Sequence, residues 1–277
     1  MIAILLTGPL FGVGLSELGG NYDFDKPEVL SALKFTQVNN ALGLFIVPAI
    51  LYSWLMNRPF KQNYGLDKVI NLRMVILVLV LVLFALPVEN FIGELNQSIH
   101  LPDALSQLED SMRRMEKVAE ETTMAFLKMD GVSDLILSLF IMAILPALGE
   151  ELLFRGVIQK LFGEQFKSHH LAIWLTAAIF SAIHMQFFGF FPRLIMGAAL
   201  GYLFYWSGSL WYPIIAHFLN NAIAVTMAYF IGIEQLPESI EDAGSNAPAV
   251  FGLTLVVCFL ILYRIRTGFD IKNEPIS

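Results

Sequence analysis

Residues 194–233 read LIMGAALGYLFYWSGSLWYPIIAHFLNNAIAVTMAYFIGI and contain no Asp, Glu, Lys or Arg. As one helix these 40 residues would be about 60 Å long, twice the roughly 30 Å of bilayer hydrocarbon. The stretch therefore predicts two membrane-spanning helices that fold back on each other. Ser207-Gly208-Ser209 is the expected turn, because Trp206 and Trp211 beside it suit the membrane–water interface.

The composition of the whole chain agrees with a membrane protein. Of its 277 residues, 56% are hydrophobic and only 15% are charged. The net charge of -7 leaves no basic surface for a phosphate backbone, so nucleic-acid binding is excluded. The single cysteine, Cys258, excludes a disulfide framework and a Cys-rich metal site.

Uninterrupted runs of apolar residues favour membrane-spanning helices over strands, because membrane-spanning strands would alternate apolar and polar residues. The sequence thus predicts an all-α polytopic transmembrane helix bundle of about eight spans. Residues 1–16 lack the positive start and the small-residue cleavage site of a signal peptide, so we interpret them as a retained span. The expected spans are 1–16, 36–56, 74–92, 138–162, 171–190, 193–207, 210–232 and 247–263.

The positions of Lys and Arg predict the orientation. Basic residues gather in 58–73, 155–167 and 264–272, which we expect to be cytoplasmic, whereas the connections 17–35, 93–132 and 233–246 are acidic. Both termini are therefore expected in the cytoplasm.

The connection 93–132 is the largest polar segment. Leu105, Leu108, Met112, Met115 and Val118 recur at helical spacing with charges between them. This pattern predicts an amphipathic helix at about 100–128 that lies on the membrane face or packs over the bundle. It would act as a spacer, or alternatively gate access or bind a partner. The predicted parts of the chain are N-terminal helices at 1–92, this polar loop at 93–132, a catalytic core at 133–264 and a cytoplasmic tail at 265–277.

Several polar side chains fall inside predicted spans, where a charge costs on the order of 2.5–3.5 kcal/mol. They are Glu150, Glu151, Arg155, His184, His217, Asn220 and Asn221. Counted from the expected cytoplasmic interface at helical rise, Glu150, His184, His217 and Asn221 share a layer near mid-membrane. The common depth predicts one site.

Helical spacing separates the roles of these groups. Glu151 and Arg155 are four residues apart and can pair, whereas Glu150 lies about 100° around the helix and faces a cavity. His217 and Asn221 share a face, which favours Asn221 over Asn220 for the site. Phe180, one turn before His184, can wall the same pocket.

The residue types suit hydrolysis of an amide without a covalent intermediate. A carboxylate in a poorly hydrated pocket can take a proton from water, and a histidine can share that proton. A second histidine and a carboxamide can donate hydrogen bonds to the oxyanion of a tetrahedral intermediate.

At these positions the sequence resembles the CPBP family, which includes the Rce1-like CAAX prenyl proteases and the bacterial Abi proteins. The family signature EExxxR, FxxxH and HxxxN is matched in order by three motifs within about residues 135–232. They are Glu150-Glu151-Leu152-Leu153-Phe154-Arg155, Phe180-Ser181-Ala182-Ile183-His184 and His217-Phe218-Leu219-Asn220-Asn221.

The resemblance implies an intramembrane glutamic endopeptidase that needs no metal or other cofactor. Glu150 and His184 would activate water, and His217 and Asn221 would form the oxyanion hole. Glu151, Arg155 and Phe180 would have supporting roles. The substrate would be a membrane-associated protein or peptide, and prenylated substrates define only one branch of the family. The implied location is the plasma membrane of a bacterium.

Two alternatives stay open at this point. Glu150, His184 and His217 could supply three zinc ligands with an open fourth position. The chain could instead be a non-catalytic scaffold or a transporter with a proton-coupled carboxylate. The variant Glu150→Gln separates an enzyme from the second alternative, because it removes the base and preserves size.

Overall fold

The computed structural model describes residues 2–14, 17, 22–237 and 247–269. Throughout this part the regular structure is helical, which confirms the predicted all-α fold. Short helical turns lie at Phe60–Asn63, Asp103–Leu105 and Phe187–Gly189. The longer helices are α1 (Ile2–Phe11), α2 (Pro27–Leu55), α3 (Leu72–Gln97), α4 (Ser106–Leu127), α5 (Val132–Phe166), α6 (His169–Ala182), α7 (Phe190–Ser207), α8 (Trp211–Gly232) and α9 (Pro248–Gly268).

Within the described ranges, six helices are long and apolar enough to cross a membrane, namely α2, α3, α5, α7 with its preceding turn, α8 and α9. The chain is an integral membrane protein. The predicted spans 1–16 and 171–190 correspond to α1, with 10 residues, and α6, with 14. At helical rise these are about 15 and 21 Å long, less than the hydrocarbon thickness. Residues 238–246 of the predicted acidic loop and 270–277 of the predicted tail lie outside the described residues.

Helices α2 and α5 contain wider π-helical segments. These lie at Ala41–Ile46 in α2 and at Phe140–Ile144 and Phe154–Ile158 in α5. Pro48 and Pro146 follow the first two of them. Proline has no N–H, and its ring crowds the carbonyl four residues earlier, so a wider turn relieves the clash. One consequence is a backbone carbonyl without its usual helical donor.

Helices α6 and α7 form a hairpin that packs through glycine. A Cβ atom on Gly201 would lie 2.9 Å from Cγ2 of Ile173, and one on Gly197 would lie 3.2 Å from Cβ of Ala177. Glycines four residues apart allow helix backbones to approach closely in a membrane. A larger side chain at Gly201 would push the hairpin apart.

The predicted turn at 207–209 is confirmed. Helix α7 ends at Ser207, and Gly208 adopts the left-handed conformation with φ of +59°. The Ser209 hydroxyl donates to the Gly65 carbonyl over 2.7 Å, and the Lys68 ammonium donates to the Ser207 carbonyl over 3.4 Å. The basic segment 58–73 and this turn therefore lie at the same end of the bundle.

The predicted amphipathic helix is confirmed as α4, and it packs over the bundle. The Glu116 carboxylate accepts a hydrogen bond of 3.2 Å from the Phe188 backbone N–H. The Arg113 guanidinium lies 4.2 Å from the centre of the Phe188 ring, which is buried. Thr122 and Phe126, nearer the C-terminal end of α4, line the central cavity. Helix α4 thus forms part of the cavity wall.

Candidate active site

Glu151 and Arg155 form the ion pair that their spacing predicts. The Arg155 Nη1 atom donates to Glu151 Oε1 over 2.7 Å, and both side chains are fully buried. The Arg155 Nη2 atom donates to the Gly197 carbonyl over 2.9 Å, and the guanidinium lies 4.7 Å from the Phe180 ring centre. The pair therefore ties α5 to the hairpin of α6 and α7.

The same Glu151 oxygen also binds His217, a contact that helical spacing within one segment does not predict. The distance from His217 Nδ1 to Glu151 Oε1 is 2.8 Å, and His217 is buried. A carboxylate oxygen only accepts, so the hydrogen lies on Nδ1. Glu151 thus fixes the orientation of the ring on α8, in addition to its predicted role in holding α5.

Glu150 lies on the other side of the His217 ring. Its Oε2 atom is 3.9 Å from His217 Nε2, and its side chain lines the cavity. The Arg155 charge is engaged by Glu151, which leaves Glu150 free of a direct bond to the guanidinium. The structure therefore places Glu150 toward the cavity and Glu151 behind it, as the 100° separation on a helix predicts.

His184 lies in a turn rather than inside a helix. The predicted span 171–190 is interrupted because α6 ends at Ala182 and Met185 adopts the left-handed conformation with φ of 54°. His184 Nδ1 lies 2.7 Å from the Phe180 carbonyl, which can only accept, so Nδ1 carries the hydrogen. The Nε2 atom is then the ring nitrogen with a free lone pair. The Phe180 and His184 rings meet edge to face, 5.1 Å apart.

Asn221 is held by the backbone of α5. Its Nδ2 atom donates a hydrogen bond of 3.1 Å to the Met142 carbonyl. That carbonyl lies four residues before Pro146, which has no N–H to give it. One of the two Nδ2 hydrogens is therefore used structurally, and the second is left for a ligand.

These side chains meet around one cavity of about 620 Å³, a volume typical of ligand sites. Glu150, His184, His217 and Asn221 all line it, with Phe180 in its wall. Asn220 lines it too, although spacing favours Asn221. Glu151 and Arg155 lie behind this first layer and are fully buried.

The cavity includes polar residues that the sequence analysis did not identify. Glu89 of α3 and Arg193 of α7 line it, together with Gln37 and Asn40 of α2 and Thr122 of α4. The sequence could have indicated Glu89, because a carboxylate inside a 26-residue apolar helix is unusual. The polar residues of α2 and α4 had none, since their approach to the site depends on tertiary packing.

The described part of the chain contains no group of side chains that would support the zinc alternative. There, no three His, Cys, Asp or Glu side chains cluster in a way that could hold a metal ion. The Nδ1 atoms of His184 and His217 are both engaged, by Phe180 and Glu151 respectively.

The part of the chain that contains the candidate site is similar to a known protein family. Residues 132–223 match the Type II CAAX prenyl endopeptidase Rce1-like family. The match begins at the first residue of α5 and ends just after Asn221, so it contains all three motifs. The resemblance to the Rce1-like family is thereby confirmed for this part of the chain.

A curated relative has no assigned activity. The uncharacterized protein YpbD of Bacillus subtilis (strain 168) is 29% identical over 113 residues, which cover 39% of this chain. The matched region spans about half of the relative, 55% of its length. No solved structure matches the chain significantly.

Proposed function

We propose that this chain is an intramembrane endopeptidase that hydrolyses a peptide bond of a membrane-associated protein or peptide. The observation that supports this most directly is the convergence of Glu150, His184 and His217, from three chain segments, on one cavity. The Rce1-like match supports the reaction class. The proposal includes lipidated substrates and does not require them.

In the proposed mechanism Glu150 is the general base. A water molecule between Glu150 and His184 would donate one hydrogen to the Glu150 carboxylate and the other to His184 Nε2. The His184 hydrogen bond to the Phe180 carbonyl leaves Nε2 as the acceptor, as this step requires. As the water oxygen attacks the carbonyl carbon, its proton passes to Glu150.

His217 and Asn221 would stabilise the oxyanion that forms. Because His217 Nδ1 donates to Glu151, its donor to the substrate is Nε2–H, and the ring must then hold a hydrogen on each nitrogen. The second Nδ2 hydrogen of Asn221 is the other donor. Each is held in place beforehand by a buried partner, and such fixed donors lower the barrier most effectively.

The intermediate would then collapse with transfer of a proton. The carbon–nitrogen bond breaks, and the proton taken up by Glu150 passes to the departing amine. The products are a carboxylic acid and an amine, which exchange a proton to become a carboxylate and an ammonium group, and the enzyme returns to its starting state. Water supplies both the hydroxyl and the hydrogen, so no further reactant is needed.

The test compares membrane proteomes of cells that contain the wild type or Glu150→Gln. We expect peptides with new termini that are present with the wild type and absent with the variant. Glu164→Gln is the matched control, since Glu164 is exposed on the same helix and does not line the cavity. The purified variant should keep its thermal unfolding midpoint.

An outcome in which Glu150→Gln cleaves the identified substrate as fast as the wild type would reject the general-base role. If no terminus depends on Glu150, a scaffold or transporter becomes the better interpretation.

The proposed orientation places both termini in the cytoplasm of a bacterial cell. The contact of Lys68 with Ser207 supports one part of this orientation, because it brings the basic segment 58–73 and the turn at 207–209 to one membrane face.

A further inference from the structure

Glu89 is a cavity residue that the proposed mechanism does not use. It lies on α3, close to the end of a run of apolar residues, and its side chain is half-buried. It lines the same cavity as Glu150, from a different helix. A carboxylate within a membrane-spanning helix is costly and commonly marks a functional group with a definite partner.

The described part of the chain offers Glu89 no such partner. No hydrogen bond or ion pair to its carboxylate is found there.

Among the described residues that line this cavity, Arg193 is the only lysine or arginine, and its guanidinium is engaged elsewhere. Its Nη1 atom donates to Gln186 Oε1 over 2.9 Å, and Nη2 donates to the Gln186 carbonyl. Its charge also interacts with Glu116 of α4. The guanidinium is therefore directed toward the turn before α7, away from a pairing with Glu89.

We propose that Glu89 forms a subsite for a positively charged side chain of the substrate, lysine or arginine, bound in the cavity beside the scissile bond. This inference rests on the proposed function, in which the cavity holds a peptide. A cavity carboxylate without a protein partner gains most from a ligand that supplies both a positive charge and hydrogen-bond donors.

Other polar residues of the cavity fit a peptide ligand. Gln37 and Asn40 of α2 and Thr122 of α4 provide neutral donors and acceptors that suit peptide groups. Among the described lining residues, Glu89 is the carboxylate other than Glu150, the proposed general base.

The experiment measures binding separately from cleavage. The protein carries Glu150→Gln and is placed in phosphatidylcholine nanodiscs, so that bound peptides stay intact. The probes are fluorescein-labelled nonapeptides of Ala, Leu and Ser with a single Lys, norleucine or Glu at each position in turn. We expect one position at which the Lys peptide binds about tenfold more tightly than the norleucine peptide.

Adding Glu89→Gln should abolish this difference, whereas adding Glu94→Gln on the same helix should preserve it. Glu94 does not line the cavity. Glu89→Lys should shift the preference at that position to the Glu peptide, which gives a second result if Glu89→Gln unfolds.

A lysine preference that survives Glu89→Gln, the absence of such a preference at every position, or the absence of binding would overturn the subsite. If the wild-type protein binds the lysine peptide selectively but does not cleave it, the proposed endopeptidase function is rejected and the subsite is not.

Discussion

The Asn221 side chain donates a hydrogen bond of 3.1 Å to the backbone carbonyl of Met142. The two residues lie on different helices, α8 and α5. Pro146, four residues after Met142, has no N–H to donate to this carbonyl. The Asn221 side chain on α8 thus donates to a carbonyl of α5 that Pro146 cannot serve, and this bond fixes the Asn221 amide next to the cavity.

Asn221→Ala should destabilise the protein and also abolish cleavage. The Met142 carbonyl would lose its donor inside the bundle, at a cost of about 1–3 kcal/mol. Adding Pro146→Ala restores a backbone N–H, so the double variant should regain much of this stability. Denaturant unfolding in detergent micelles measures the recovery.

Cleavage by that double variant should stay lost, because the second Asn221 hydrogen is proposed to contact the oxyanion. Pro146→Ala alone is the control and should remain active. Recovery of activity in the double variant would show that Asn221 has only a structural role.

Arg155→Met should be strongly destabilising, by about 3–5 kcal/mol, because it leaves the Glu151 carboxylate buried without its cation. Adding Glu151→Gln removes that charge and should recover part of the loss. The double variant should still cleave poorly, since His217 loses the carboxylate that orients it. Unfolding midpoints and initial cleavage rates give the two measurements. Equal stability of the single and double variants would contradict this account.

The stability of the α4 region should depend on Glu109 at acidic pH. The Leu101 backbone N–H, Arg113 and His100 bond to its carboxylate and lower its pKa to about 2. A lowered folded pKa means that the carboxylate stabilises the fold above its ordinary pKa of 4.5. This contribution is lost as the pH falls toward 2.

Wild type should therefore be more stable than Glu109→Gln at pH 7, and the difference should shrink between pH 4.5 and 2. Thermal unfolding followed by circular dichroism checks this. Glu120→Gln, at an exposed site on the same helix, should show no such trend. A difference that grows on acidification would have the wrong sign.

Cleavage should survive strong chelation, because Glu150, His184 and His217 supply every proton and charge that the proposed mechanism uses. The measurement is the initial rate of purified protein after dialysis against EDTA and 1,10-phenanthroline. Loss of activity that zinc restores would favour the zinc alternative.

The sequence predicted those features that arise within one segment or from helical spacing. Uncharged length predicted the helical bundle, Gly208 predicted the turn, and a four-residue spacing predicted the Glu151–Arg155 pair. The shared depth of Glu150 and His184 predicted one cavity, and both line it. Their catalytic roles stay predictions.

Features that depend on packing between segments could not be predicted. The contact of Glu151 with His217 joins residues 66 positions apart, and no local pattern indicates it. Helix α6 ends at Ala182, and Met185 just after it adopts a left-handed conformation. No glycine or proline at these positions predicts the end of the helix from the sequence. Apolar composition alone therefore extended that span too far.

The Glu116 carboxylate of α4 bonds the backbone of Phe188, four residues after His184. The middle of α4 thus holds the segment that follows His184, and the C-terminal part of the same helix lines the cavity. In the proposed mechanism, a motion of α4 that admits a substrate would break this bond next to the segment of His184. Entry of the substrate and its hydrolysis would then occur one after the other.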